Sequence, residues 1–270
     1  MASTDKQPAN RSGQVQSLTR ALSLMNAISQ TPNGIKLTDL ARKVGLAAST
    51  AHRLLTTLQE QRYVQYDRDT NFWQIGIQAF VTGNGFLSSR DLVSVARPIM
   101  RRMMEESGET INLAISEGDD VIYMAQVESR EMMRVYSKPG NRVPLHCSGV
   151  GKAIMSVMSD KDINRIIHEK GLPRLTDRTL TDPDALIKEL KNSRENAYAI
   201  DDEEHAIGLR CAASVIYDEY SEPMAAISIS GPAARISNEK LAKLGQTVRT
   251  YAAEITSALG GVIPASIDAG

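Results

Sequence analysis

Hydrophobic positions follow a helical period in the first part of this chain and a mixture of helical and alternating periods from about residue 109 onward. In Val15–Ser29, Leu18, Leu22, Met25 and Ile28 fall on one helical face, and Thr31-Pro32-Asn33-Gly34 ends that helix. Leu37–Gln61 reads as two short helices joined by a tight turn. Ala41 is the small residue of the first, Gly45 takes the positive φ that ends it, and Ala51, Leu54, Leu55 and Leu58 form the i, i+3, i+4, i+7 stripe of the second. Tyr63–Tyr66 and Phe72–Ile75 flank the polar turn Asp67–Asn71, which predicts a β-hairpin placed as a wing after the second helix.

A short helix begins at Ile77–Phe80 and is loosened by Gly83 and Gly85. A longer one runs from about Ser89 to Ser107 with Leu92, Val95, Ala96, Ile99 and Met103 as its stripe. Pro98 inside it predicts a kink, because the ring clashes with the preceding turn. Beyond Glu109, INLAIS, DVIYMAQV and MRVYS read as consecutive antiparallel strands. SGVGKAIMSVM starts a helix, and others follow at Asp160–Glu169 and Asp182–Asn196. GLRCAASVIYD and PMAAISISG are two further strands. A last helix, Ser237–Leu259, carries Leu241, Leu244, Val248, Tyr251, Ile255 and Leu259 on one side. Helices around a central antiparallel sheet predict an α+β fold, not a doubly wound one. The expected organisation is a disordered tail (1–13), a winged helix-turn-helix domain (14–76), linker helices (77–108), a second domain (109–260) and a short tail (261–270).

Composition changes this picture in one respect. The whole chain of 270 residues has a net charge of -1, yet residues 1–76 hold nine Lys/Arg against five Asp/Glu, a net of +4, leaving 22 against 27, or -5, for the remainder. A basic end coincident with a helix-turn-helix is the electrostatic footprint of a module that binds double-stranded DNA. No apolar run is long enough for a membrane span and the N-terminus lacks a signal-peptide core, so a cytoplasmic protein without a membrane partner is expected. Cys147 and Cys211 are the only cysteines, without CxxC spacing, and neither a disulfide framework nor a zinc module is indicated.

Candidate chemistry lies in two places. Opposite the apolar stripe of the second short helix stand Ser49, Thr50, His52, Arg53, Thr56 and Thr57, residue types that suit phosphates and base edges in a major groove. Arg11 in the tail is a further phosphate candidate. In the second domain, PLHCSGVGKAIM leads small residues into a helix start, where unpaired amides and the helix dipole can hold a carboxylate, although the spacing is not that of a P-loop. In AAISIS, Ala226, Ser228 and Ser230 share one face of a strand, so the two hydroxyls either satisfy each other or point at a polar ligand. Cys211 is either a small core residue or a ligand contact. DDEEH (Asp201–His205) reads as a solvated loop, a pocket rim or a set of metal ligands, and no complete metal set emerges from spacing. A Cys-His hydrolase at His146-Cys147 is disfavoured because neighbouring residues on an extended segment point apart. No cofactor is expected.

GQVQSLTRAL, the winged helix-turn-helix with STAHRLLTTLQ, VPLHCSGVGKAIM, DDEEHAIGLRCAASVIYD and AAISISGP together resemble the IclR family of bacterial transcriptional regulators, in the right order over about residues 13 to 260. The resemblance implies a winged-helix domain, a linker helix that helps dimerise, and a GAF-like effector-binding domain in a homodimer or homotetramer. It also implies a small 2-oxo acid effector such as glyoxylate. In glyoxylate-binding members a Gly-Ala pair offers its amides to the carboxylate. Here the pair is Gly149 and Val150, a departure expected to narrow or reshape the cavity. Their aspartate, cysteine and two serines match Asp201, Cys211, Ser228 and Ser230.

Overall fold

The computed structural model describes residues 15–88 and 92–265, which form two compact units divided at residue 89. Arg11 and the expected helix start at Ser89 lie outside the described residues.

The first unit contains α1 (Gln16–Ser29), α2 (Leu37–Lys43), α3 (Ala48–Glu60), the hairpin of β1 (Val64–Asp67) and β2 (Phe72–Ile75), and α4 (Ile77–Ser88). The apolar faces of α1, α2, α3 and the hairpin meet on Leu24, Ile28, Leu40, Ala51, Leu55, Val64 and Trp73. Gly45 sits at φ +66°, and Leu46 N–H closes back on Ala41 O at 2.9 Å, the glycine-ended turn that separates α2 from α3. Asp67 Oδ1 accepts from the amides of Asp69 and Thr70, which shapes the hairpin turn. Two details differ from expectation. Of the expected stripe of α1, Ile28 is buried and Met25 packs against the core, but Leu18 and Leu22 are exposed, and Leu24 and Ala27 complete the buried face. The core covers only the second half of the helix, a limit that periodicity does not reveal. Likewise, α4 runs unbroken through Gly83 and Gly85.

The second unit begins with α5 (Leu92–Ser107), which contains Pro98, and continues with β3 (Thr110–Glu117), β4 (Asp120–Val127), β5 (Arg142–Pro144), α6 (Gly149–Ser156), α7 (Asp160–Lys170), α8 (Pro183–Asn196), β6 (Ala199–Asp202), β7 (Leu209–Tyr217), β8 (Pro223–Pro232) and α9 (Asn238–Ala258). The strands make one antiparallel sheet in the order β5-β4-β3-β8-β7-β6. Ile111, Leu113, Ile227 and Ile229 point to the face covered by α5 and α9. Ala114, Tyr123, Ala213 and Ala226 point to the face covered by α6, α7 and α8. At the start of β3 the buried Glu109 is held by Arg235 at 2.6 Å and Lys240 at 2.9 Å. Burial alone would raise this carboxyl, but the hydrogen bonds from those two cations outweigh it and hold it below its ordinary value.

The third expected strand is displaced. MRVYS forms no strand: Met133 and Tyr136 are exposed, and the segment is held by Thr110 Oγ1 on Val135 O and Arg235 Nη1 on Met133 O. β4 instead pairs with Arg142–Pro144, brought alongside by the turn at Gly140, whose N–H donates to Tyr123 O at 2.7 Å. The first two residues of DDEEH, Asp201 and Asp202, lie in β6. This segment is a strand because its backbone completes the ladder beside β7.

Candidate functional site

On α3, burial of Ala51 and Leu55 fixes which face is turned outward. Ser49, His52, Arg53 and Thr57 are exposed, and Thr50 and Thr56 half-buried. Thr56 Oγ1 donates to His52 O at 3.0 Å and Thr57 Oγ1 to Arg53 O at 3.2 Å, so both hydroxyls keep acceptor capacity while their protons are engaged. Five of the six residues divide between two grooves. His52 and Thr56 border one of about 420 Å³ toward the hairpin, with Lys36, Gln59, Tyr66 and Trp73, and the His52 ring meets Trp73 edge-on at 6.5 Å. Thr50, Arg53 and Thr57 border one of about 250 Å³ toward α1, with Ser17 and Arg20. Ser49 lines neither. The grooves add polar groups that reading α3 alone missed. Arg20 and Lys36 belong to other elements, so only packing brings them beside α3.

In the second unit the register of the sheet builds a polar row. Asp201 stands opposite Cys211, Cys211 opposite Ser230, and Ser230 opposite Thr110. The next row holds Ala213, Ser228 and Asn112. Directly opposed residues share a face, so these side chains lie together beneath α6. Asn112 Nδ2 donates to Ser230 Oγ at 3.4 Å and reaches Ser228 Oγ at 3.5 Å, while Gln126 holds Asn112 Oδ1 at 2.8 Å. Gly149 comes down on this row so closely that a Cβ there would lie 2.7 Å from Cys211 Sγ. At Gly151 a Cβ would overlap the Leu145 carbonyl. The glycines thus let the start of α6 rest on the sheet and on its own lead-in. Ser148 caps the helix, its Oγ accepting from Gly151 N–H at 3.1 Å and donating to Pro144 O at 2.7 Å. That cap leaves the Gly149 and Val150 amides to other acceptors.

Lys152, fully buried on the first turn of α6, pairs with Glu204, and Glu189 of α8 lies 3.9 Å from its Nζ. Glu204 Oε2 is buried without a hydrogen-bond partner. DDEEH therefore splits in two. Asp202 turns outward to Arg178 and Arg210, the latter at 2.6 Å. Asp201 and Glu204 turn inward, with Asp201 Oδ1 accepting from the amides of Glu204 at 2.8 Å and His205 at 3.3 Å. Thr176 and Thr179 clamp the loop through the carbonyls of Glu203 and Glu204. Burial, reinforced by the charge of Glu204, pushes Asp201 up to about 7 against the opposing amides and Lys152. Burial likewise raises the Cys211 and Cys147 thiols to about 12, so both stay protonated. His146 Nε2 lies 3.1 Å from Pro173 O, an interaction that ties the ring to the backbone. Among the described residues no group of three His, Cys, Asp or Glu could hold a metal ion. A cavity of about 350 Å³ opens at the far end of α6, around Ser156, Arg194, Tyr217 and Arg249, and none of the expected effector residues lines it.

Residues 17–68 match the IclR helix-turn-helix domain, and residues 84–257 match the domain described as Bacterial transcriptional regulator IclR C-terminal. The chain belongs to the IclR family. It is 45% identical over 251 residues to the acetate operon repressor of Salmonella typhimurium, covering 92% of each chain. It is 44% identical over 256 residues to the transcriptional repressor IclR of Escherichia coli K12, covering 94% of this chain and 93% of that one. Among solved structures, IclR of Thermotoga maritima superposes with a TM-score of 0.75 at 27% identity, over 92% of this chain and all of that one. The protein is a DNA-binding transcriptional regulator and not an enzyme. No helix among its described residues is long and apolar enough to cross a membrane.

In this IclR-family regulator Gly149, Asp201, Cys211, Ser228 and Ser230 gather on one face of the sheet at the start of α6, and Val150 is buried in the apolar layer between sheet and helices. Asn112, Lys152 and Glu204 belong to the same neighbourhood and escaped the sequence reading as partners. The available signal was a lysine in an otherwise apolar helix start and a second inward carboxylate in DDEEH.

Proposed function

We propose that this regulator is a repressor whose operator affinity is set by a small 2-oxo acid of the glyoxylate class, bound between the start of α6 and the polar row of the sheet. The carrying observation is the convergence of Gly149, Asp201, Cys211, Ser228 and Ser230 from three strands and a helix start. The amides of Gly149 and Val150, aided by the helix dipole, suit the effector carboxylate. The hydroxyls of Ser228 and Ser230 suit its remaining oxygens, and Asp201 and Cys211 close the row. On the output side, Ser49, Thr50, His52, Arg53, Thr56 and Thr57 meet phosphates and base edges of double-stranded operator DNA. Residues 14–76 form the DNA-binding part, 77–108 the linker and 109–260 the effector domain.

The effector acts only through its different affinity for the DNA-competent and DNA-incompetent states. A homodimer or homotetramer supplies two recognition helices for a palindromic operator. Leu18 and Leu22 on α1, with Val15 just ahead of it, and Ile77, Phe80 and Val81 on α4 leave apolar side chains exposed, which suits such an assembly. The deciding experiment is calorimetric titration of the protein and of its Ser228→Ala/Ser230→Ala variant with glyoxylate, pyruvate and an aromatic acid. Saturable glyoxylate binding that the variant loses, while melting normally, supports the reading. Binding unchanged in the variant rejects the site, and binding of the aromatic acid alone rejects the ligand class.

A further inference from the structure

We infer that Asp201 enters the effector complex as a neutral carboxylic acid, so that the 2-oxo acid anion binds together with one proton taken from solvent. This rests on the effector reading above and adds a charge state and a selecting role to it. Asp201 is only 1% exposed, stands directly across from Cys211, and shares its row with Ser230. Gly149 lies on the same cysteine from the helix side. An anion held by the α6 amides therefore meets the Asp201 carboxyl in a place cut off from bulk water. Two carboxylates in such a site do not both stay ionised, because little solvent screens their repulsion. Lys152, the fully buried cation nearby, gives little relief, since it is engaged by Glu204 and has Glu189 at 3.9 Å.

The groups around Asp201 act in the same sense. Tyr123 from β4, Cys211 from β7 and Cys147 ahead of α6 are kept protonated and neutral by burial. Glu204 adds a carboxylate, while burial disfavours the charged forms of His205 and His146. Lys152 and the amides of Glu204 and His205 favour the ionised form of Asp201, and burial outweighs them, leaving the free protein at about 7. A bound anion raises this further. With Oδ1 engaged by the two amides, the acid offers its O–H from Oδ2. That donor selects a ligand rich in acceptor oxygens. Below about pH 7 the proton is already in place and affinity is flat, and above it affinity falls by about tenfold per pH unit until the higher pKa of the bound state is reached.

The test is calorimetric titration of the full chain with glyoxylate at about pH 6 and about pH 8, each in two buffers of different ionisation enthalpy. The expected uptake is near zero protons at the lower pH and close to one at the higher, with binding roughly tenfold weaker there. Asp201→Asn keeps a donor at the same place and is expected to bind with no proton uptake and no pH dependence. Binding without uptake at the higher pH overturns the inference, as does uptake that survives in Asp201→Asn. If Asp201→Asn fails to fold by circular dichroism, the proton uptake and the pH dependence of affinity in the wild type still decide. No glyoxylate binding at any pH overturns the effector reading itself and this inference with it.

Discussion

The face of α3 and the start of α6 use similar residues, small and hydroxyl-bearing with one cation, under opposite solvation. On α3 the cation Arg53 is exposed, the preceding Ala47 supplies no side-chain cap, and the threonines bond to their own helix. Around α6 the cation Lys152 is fully buried, Ser148 caps the helix, and all eight helical residues are buried. An exposed face can dock on a long polyanion whose contacts are screened by salt and individually weak. A buried helix start can hold a small anion tightly, but each charge it contains must be matched or neutralised. The contrast teaches that output and input of the regulator differ less in composition than in access to water.

Substitutions can break this comparison, beginning with the largest effect. Lys152→Met leaves Glu204 buried without its partner and is expected to destabilise the protein by about 3–5 kcal/mol in urea unfolding, with much of the loss restored by adding Glu204→Gln. A cost no greater than that of an exposed substitution would show that the pair is solvated after all. Gly151→Ala forces a methyl against the Leu145 carbonyl and is expected to cost about 1–3 kcal/mol by the same measurement. Stability equal to wild type would mean that α6 moves off its lead-in freely. Arg53→Ala is expected to change stability by less than about 0.5 kcal/mol, because the side chain is exposed. It should nevertheless weaken operator binding about tenfold in a mobility-shift assay and lower the salt slope by about one if the contact is to phosphate. Thr56→Val is the mildest change, since the hydroxyl proton already bonds to His52 O. Operator affinity is expected to fall only a few-fold, on the order of 1 kcal/mol or less, and a complete loss would make Thr56 a base-reading residue instead.

The elements of both units were largely legible because burial and periodicity coincide over long segments. α9 was expected at Ser237–Leu259 and runs Asn238–Ala258, and β8 and its alternation of Ile227/Ile229 against Ser228/Ser230 were read from the pleat alone. The failures are short segments whose conformation depends on neighbours. MRVYS has strand-like residues but no ladder to join, whereas Asp201 and Asp202, which open the charged stretch DDEEH, belong to a strand because β7 offers an open edge. On α1 the stripe packs at Met25 and Ile28, while Leu18 and Leu22, a turn or two earlier, stay exposed because the core does not reach them.

From the sequence alone came the element order, the basic first unit, the outward face of α3 and the family likeness, since each depends on local periodicity, charge or motif order. The candidate effector residues were named there too, as separate weak signals and through that likeness. Tertiary structure decided that Asp201, Cys211 and Ser230 form one row, that Gly149 rests on it, and that Lys152 meets Glu204 across 52 intervening steps of chain. The physical reason is that strand register and helix docking are long-range outcomes of packing. Only they bring a helix start, a loop carboxylate and two serines of a distant strand into the dry space where their chemistry changes.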